Sequence, residues 1–276
     1  MGFEALAWGR HVNDYRDAWE IVRRADHKSI GLILDSFHAL APAFPVAAIP
    51  SIPSDRIFLV QLADAPKLGL DVLSWSRHFR CFPGQGDLPV GAFMEAVAAT
   101  GYSGPLSLEI FNDQFRSGSA VRTATDGLRS LILLEDQPAQ SATGGSAVGL
   151  PPRVPSRGVA FVEFALDETK ASELSALFGQ LGFRKTGSHR SKTVERWSQG
   201  GIELVINCEP DSFAHSHYIG HGPGVCAIAI GVDDAGRAMT RAEALKAHTF
   251  YQPVAPGELE IPAIRGVGQS AVFSGG

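Results

Sequence analysis

Apolar segments that each close on an oxygen-bearing side chain, and that alternate with helical stretches, limit what this chain can fold into more than any other feature. Over residues 2–111, GFEALAW, IGLILD, RIFLVQLAD and GPLSLEIF read as β-strands. They are apolar along most of their length, which is the pattern of strands covered on both faces. Between them, DYRDAWEIVRRAD (14–26) sets Ala18, Ile21, Val22 and Ala25 on one face at helical spacing. PVGAFMEAVAATGY carries a helix over about 89–99 with Gly101 as its C-cap, and 119–134 carries a last helix. This alternation predicts an α/β fold built on a parallel sheet.

The strand ends are the second constraint. The four strands finish at Glu4, Asp35, Gln61 and Glu109. A single aspartate after a strand is an ordinary turn or cap residue. In a parallel sheet, however, the carboxyl ends lie at one edge, where ligands bind, so four oxygen ligands would converge. Carboxylates brought together raise one another's pKa, and a cation resolves the repulsion. An all-oxygen set suits a hard divalent ion, Mg²⁺ or Mn²⁺, rather than zinc or copper.

Residues 137–158, QPAQSATGGSAVGLPPRVPSRG, are rich in Gly, Pro, Ser and Ala, the composition of a linker. They divide the chain into 1–139, a linker over 140–157, and 158–276. In the last part GVAFVEFAL, KASELSALFGQLGF and KTGSHRSKTVERWSQGGIELVINC give a strand, a helix and further strands turning at Gly200-Gly201. VCAIAIGV, DDAGRAMTRAEALKA and LEIPAIRGVGQSAVF repeat that order. Two βαβββ units packed side by side into a curved sheet, an α+β domain, are expected.

The totals remove several function classes. A net charge of −5 argues against a nucleic-acid binder. No apolar run approaches the ~18 residues of a membrane span. The start, MGFEALAWGRH, does not read as a secretory signal, and Cys81, Cys208 and Cys226 lack metal or disulfide spacing. Free thiols and a cytoplasmic location are the expectation.

FEALAWGRHVNDYRDAW, GLILDSFHALA, IFLVQLADAP, WSRHFRCFPGQGDLP and LSLEIFND resemble the second half of xylose-isomerase-like TIM barrels. More narrowly, they resemble the 3-dehydroshikimate dehydratases that carry a hydroxyphenylpyruvate-dioxygenase-like domain. The resemblance covers residues 3–115 and implies the C-terminal half of a barrel, four strand–helix units. It implies metal ligands at Glu4, Asp35, Gln61 and Glu109, a functional His at His38, and substrate contacts at Ser76 and Arg80. The implied cofactor is Mg²⁺, Mn²⁺ or Co²⁺. The implied chemistry is loss of water from 3-dehydroshikimate to give protocatechuate. Lewis-acid polarisation of the ketone and a proton donor for the departing hydroxyl would serve that reaction. His38 is the candidate for handling a proton or contacting the carbonyl, and Arg80 for gripping the substrate carboxylate. His11 and His78 are read as solvated or structural.

FVEFAL, LFGQLGFRKTGSHRSKTVERWSQGGIELVIN and HGPGVCAIAIGVDDA resemble the N-terminal half of 4-hydroxyphenylpyruvate dioxygenase, a vicinal-oxygen-chelate fold. No iron is assigned there, and the His189 and His221 segments are expected to turn the chain or to contact a surface or an anion. Set against whole barrels of roughly 250 residues, the chain is expected to be an internal segment of a longer enzyme. Self-association or a complementary barrel half would then cover its open edges. A sugar isomerase of the same barrel type, or a non-catalytic fragment, are the other readings.

Overall fold

The structure, a computed structural model, describes residues 1–141, 150–252, 254, 260–266 and 271–275. It falls into two compact units, Met1–Gly149 and Leu150–Gly276. Of the linker segment, 142–149 lies outside the described residues. The last helix of the first unit runs to Ser141, and the first strand of the second begins at Ser156. Both ends of the expected linker are therefore regular structure.

The first unit has β1 (Gly2–Glu4), α1 (Tyr15–Ala25), β2 (Gly31–Asp35), α2 (Ser36–Leu40), β3 (Ile57–Leu62), α3 (Val72–His78), α4 (Val90–Ala98), β4 (Leu106–Leu108), α5 (Asp113–Ser117) and α6 (Ala120–Ser141). The strands form one parallel sheet in the order β1-β2-β3-β4. Helix α1 starts where the Asp14 carboxylate accepts the Arg16 N–H and turns Ala18 and Val22, both fully buried, onto the core. Its outer face carries Glu20 paired with Arg23 and Arg24. Leu32, Leu34, Val60 and Leu62 of the inner strands pack with Ile49, Phe93 and Val97 in one core. Burying such side chains is worth roughly 1.5–3 kcal/mol each, which is why the inner strands are apolar on both faces.

Register brings the strand tips level. Asp35 pairs with Gln61 across β2 and β3, Leu62 pairs with Leu108, and the Glu109 N–H donates to the Leu62 carbonyl. At Gly31 a β-carbon would stand 2.3 Å from the Phe58 ring, so glycine is required for that close approach.

In the second unit, β5 (Ser156–Ala165), α7 (Glu168–Gln180), β6 (Arg184–Ser188), β7 (Val194–Gln199) and β8 (Ile202–Asn207) form one βαβββ set. After α8 (Phe213–His221), the elements β9 (Gly224–Val232), α9 (Ala235–Ala244), β10 (Thr249–Phe250), β11 (Ala263–Arg265) and β12 (Ala271–Gly275) form the other. The sheet order is β10-β11-β12-β9-β5-β8-β7-β6. Each set pairs its first strand parallel to its last, and the two sets meet along antiparallel β5 and β9. Gly200, at φ +57, makes the β7–β8 turn in the left-handed region that glycine adopts freely. Helix α8 was not expected. Ser212 caps it through the His215 N–H, and Gly222, at φ +78, ends it, so the His221 segment closes a helix rather than forming an open turn. His189 does turn the chain, its Nδ1 accepting the Ser191 and Lys192 N–H groups.

Candidate metal centre

Each strand-end side chain is delivered by a local device. Helix α2 begins immediately after β2, with Asp35 as its N-cap accepting the His38 N–H at 2.9 Å through Oδ1. This leaves Oδ2 to face the sheet edge. Ser36 pins the same corner to β3, its hydroxyl donating to the Ala63 carbonyl at 2.7 Å and accepting the Ala63 N–H at 2.8 Å. Helix α3, capped by Asp71 through the Ser74 N–H, carries Trp75, Ser76 and Arg77. The residue after its C-cap Phe79, Arg80, donates its N–H to the Phe111 carbonyl and accepts from Asn112 Nδ2. Arg80 is thereby fixed against the segment that follows Glu109.

One oxygen or nitrogen from each of Glu4, Asp35, His38 and Glu109 lies within 4.8 Å of the others. Gln61 joins them, its Nε2 donating to Glu109 Oε1 at 3.0 Å. The strand ends therefore meet. Three carboxylates against one guanidinium leave a deficit of two positive charges. That imbalance acts on the carboxylates themselves. Burial, then the charges of Asp35 and Glu109, push the Glu4 pKa up to about 7. Burial and Asp35 also raise that of Glu109.

Glu4 Oε1 and Gln61 Oε1 are buried without a hydrogen-bond partner. An unsatisfied buried oxygen costs about 1–3 kcal/mol. Two such oxygens in a carboxylate cluster that is short of two positive charges fit a hard divalent cation, which takes oxygen ligands.

Arg80 is fully buried. Its Nη1 donates to Asp35 Oδ2 and to Glu109 Oε2, both at 2.9 Å, and to the Glu109 carbonyl at 3.1 Å. Nε and Nη2 donate to Ser76 Oγ at 3.1 and 2.9 Å. The Phe37 and Phe111 rings lie under the guanidinium at 4.6 and 5.4 Å. Gripping a substrate carboxylate needs a free edge with two parallel donors. Here every edge faces protein atoms, and Ser76 serves to orient Arg80. The structure thus gives both residues a place inside the cluster rather than at its mouth.

His38 is 4% exposed, and burial together with the nearby Arg80 charge holds its pKa down at about 3. It is a neutral ring, unsuited to arrive as a charged acid. Its Nδ1 accepts the Ala7 N–H at 3.1 Å, so the proton sits on Nε2. Nε2 lies 3.8 Å from Glu4 Oε1, and 3.1 Å from Arg80 Nη2 in what this tautomer makes a contact between two donors. With this tautomer the ring presents a donor, not a lone pair, to the cluster. The Trp8 ring meets it edge-on at 4.8 Å.

Two residues escaped the sequence reading. Arg77 is exposed, with its guanidinium over the Trp8 ring at 5.5 Å and the Phe111 ring at 5.0 Å. Among the described residues it makes no hydrogen bond or ion pair, yet its charge reaches His38. Only its neighbours in three dimensions distinguish it from a surface arginine. Asp64 looks like Asp35 in sequence, since both follow apolar strands. Its carboxylate instead accepts the N–H groups of Ala65, Gly84, Gly86 and Leu88 at 2.8–3.1 Å. It organises the loop that follows Arg80, and the closely spaced glycines of PGQG are the signal that could have separated the two aspartates. His78 pairs with Asp113 on the surface at 2.8 Å.

Comparison with known proteins gives the class first. Residues 1–132 match the family model described as xylose isomerase-like TIM barrel, and residues 152–274 match that of hydroxyphenylpyruvate dioxygenase, N-terminal. The chain is an α/β protein whose two halves are similar, in turn, to these two kinds of unit. More particularly, it is 49% identical to a 3-dehydroshikimate dehydratase of Pseudomonas putida over 99% of this chain and 44% of that protein. It is 48% identical to the enzyme of the same name from Pseudomonas aeruginosa, with the same coverage. A solved xylose isomerase-like TIM barrel/4-hydroxyphenylpyruvate dioxygenase fusion protein superposes with a TM-score of 0.92 at 48% identity, over 99% of this chain and 45% of that one. The chain thus spans less than half the length of these relatives. No helix among the described residues is long and apolar enough to cross a membrane.

Proposed function

We propose that this chain carries the metal-binding side of a 3-dehydroshikimate dehydratase site, a hydro-lyase that forms protocatechuate. The observation that carries this reading is the convergence of Glu4, Asp35 and Glu109, two positive charges short, around buried oxygens without partners. The relatives' shared name supplies the reaction. Glu4, Asp35, Gln61 and Glu109 would hold a divalent ion, Mg²⁺, Mn²⁺ or Co²⁺. Such an ion supplies Lewis acidity toward a ketone oxygen.

The protein's own groups do the rest. His38 Nε2–H donates to an oxygen that gains negative charge when the neighbouring C–H proton leaves, and a fixed neutral donor is suited to that work. The proton lost from that carbon and the hydroxyl lost from the next one together make up the water released, and enolisation completes the aromatic ring. Arg80, held by Ser76, bridges Asp35 and Glu109 through Nη1. Arg77, spread over Trp8 and Phe111, takes the substrate carboxylate. We place the enzyme in the cytoplasm, where buried thiols such as Cys81 and Cys226, both with raised pKa, stay reduced. The outer edges of β1 and β4 suit pairing with further strands, from a second copy or a longer chain.

The test is protocatechuate formation from 3-dehydroshikimate by the chain after loading with Mg²⁺, Mn²⁺ or Co²⁺. Turnover that disappears with chelator and in Glu109→Ala is expected. Turnover indifferent to both, or none with any of the three ions, would count against the reading.

A further inference from the structure

The second unit holds a group of imidazoles that the proposed dehydratase site does not use. In AHSHYIGH of helix α8, His217 and His221 stand one helical turn apart. Residues four apart project from one helix face, the spacing at which paired histidines on a helix chelate a metal ion. Their rings lie 4.6 Å apart between centres, inclined by 35°. His217 Nδ1 is buried with no hydrogen-bond partner. An imidazole nitrogen left without a partner beside a second imidazole is one that a bound ion would take up. The pair faces a cleft of about 810 Å³ that is also lined by Asp211, Ser212, Ser216 and Arg265. Arg265 lays its guanidinium over Phe250 at 4.1 Å and Phe213 at 5.0 Å.

The geometry points to a second metal site, in which His217 and His221 chelate a divalent ion of the copper–nickel class. The ring separation favours that class. With metal–nitrogen bonds of about 2.0–2.1 Å, each ring centre stands about 3.2 Å from the ion. Two rings in adjacent positions at a right angle then have centres about 4.5 Å apart, whereas a tetrahedral angle needs about 5.2 Å. The 4.6 Å found here matches the adjacent positions of a square-planar or tetragonal ion, the geometry of Cu²⁺ and Ni²⁺. Neutral imidazole is the ligand form. Mg²⁺, which takes oxygen ligands, would pass this site by. The two centres therefore separate by chemistry, carboxylate oxygen in the first unit and imidazole nitrogen in the second.

The test is a titration of the chelator-stripped chain with Ni²⁺ followed calorimetrically, and with Cu²⁺ followed by electron paramagnetic resonance. Wild type should show a nitrogen-coordinated Cu²⁺ signal and one Ni²⁺ equivalent that Mg²⁺ does not displace. His217→Gln and His221→Gln should each weaken that equivalent more than about tenfold, because one imidazole cannot chelate. Both should keep the wild-type circular dichroism spectrum and thermal transitions, which shows that the second unit still folds. His215→Gln, whose exposed ring stacks on Tyr218 at 6.5 Å, should change nothing. Equal Ni²⁺ stoichiometry and affinity in wild type and in the His217→Gln/His221→Gln double variant would overturn the proposal. So would a Cu²⁺ spectrum unaltered by that double change.

Discussion

Replacing Arg80 by methionine separates the two cations that the cluster calls for. The guanidinium is fully buried and bonded at 2.9 Å to Asp35, itself 4% exposed, and to Glu109. Methionine fills much of the same volume and removes the charge. In chelator, Asp35 is then a buried carboxylate with no counter-charge, and Ser76 Oγ loses both its donors. Breaking such a pair costs about 3–5 kcal/mol. With a divalent ion in place the positive charge is restored at the same carboxylates, and the remaining loss of packing is about 1 kcal/mol. The difference, about 3 kcal/mol, must appear in metal affinity. Since each 1.4 kcal/mol is tenfold, Arg80→Met should bind Mn²⁺ about a hundredfold more tightly than wild type. Chemical denaturation at neutral pH with and without Mn²⁺, together with a calorimetric titration, measures both quantities. Equal destabilisation in the two conditions, or weaker Mn²⁺ binding by the variant, would refute the charge argument.

Other expectations follow from the same geometry. In the metal-free protein the Glu4 pKa is raised to about 7, so protonation favours the folded state. That contribution is full below the unfolded value near 4.5 and fades as pH rises through 7. The Tm of chelator-treated protein should therefore rise between pH 8 and pH 6, while metal affinity falls over the same interval because the proton competes; a flat affinity would contradict this. Asp64→Asn turns an acceptor oxygen into a donor facing two backbone N–H groups, and should cost about 2–4 kcal/mol in urea denaturation. A cost below 1 kcal/mol would show that the loop does not depend on the carboxylate. Arg77→Gln removes the charged donor at the site's mouth, and a hydrogen bond to a charged group is worth about 1.5–3 kcal/mol. KM for 3-dehydroshikimate should rise about tenfold to a hundredfold with Mn²⁺ affinity unchanged, whereas an unchanged KM would remove Arg77 from the substrate site.

Much of the first unit could be read without coordinates, because its inner strands are buried on both faces and their periodicity leaves little choice. The strand tips were legible for a related reason. Glu4, Asp35, Gln61 and Glu109 interrupt apolar runs, and a parallel sheet sends such ends to one edge. Arg80 was legible as a participant but not in its place. SWSRHFR reads as a polar surface stretch, and only the packing of Phe37 and Phe111 around the guanidinium shows that it is enclosed. Helix α3 is too short, at 7 residues, for its periodicity to stand out. Helix α8 holds three histidines and a glycine, which are weak helix formers, and it is held by its Ser212 and Gly222 caps. The parting of Asp35 from Asp64 is a tertiary matter, set by whether a neighbouring loop offers four N–H groups.

The measurement that bears most directly on the shared-ion account is anomalous X-ray scattering at the manganese edge from crystals of the Mn²⁺-loaded chain. In the first unit the account predicts one peak, about 2.0–2.3 Å from an oxygen of each of Glu4, Asp35, Gln61 and Glu109, with Arg80 Nη1 moved off at least one carboxylate. A peak bound elsewhere in that unit, or none while Arg80 keeps both its bonds to Asp35 and Glu109, would contradict it.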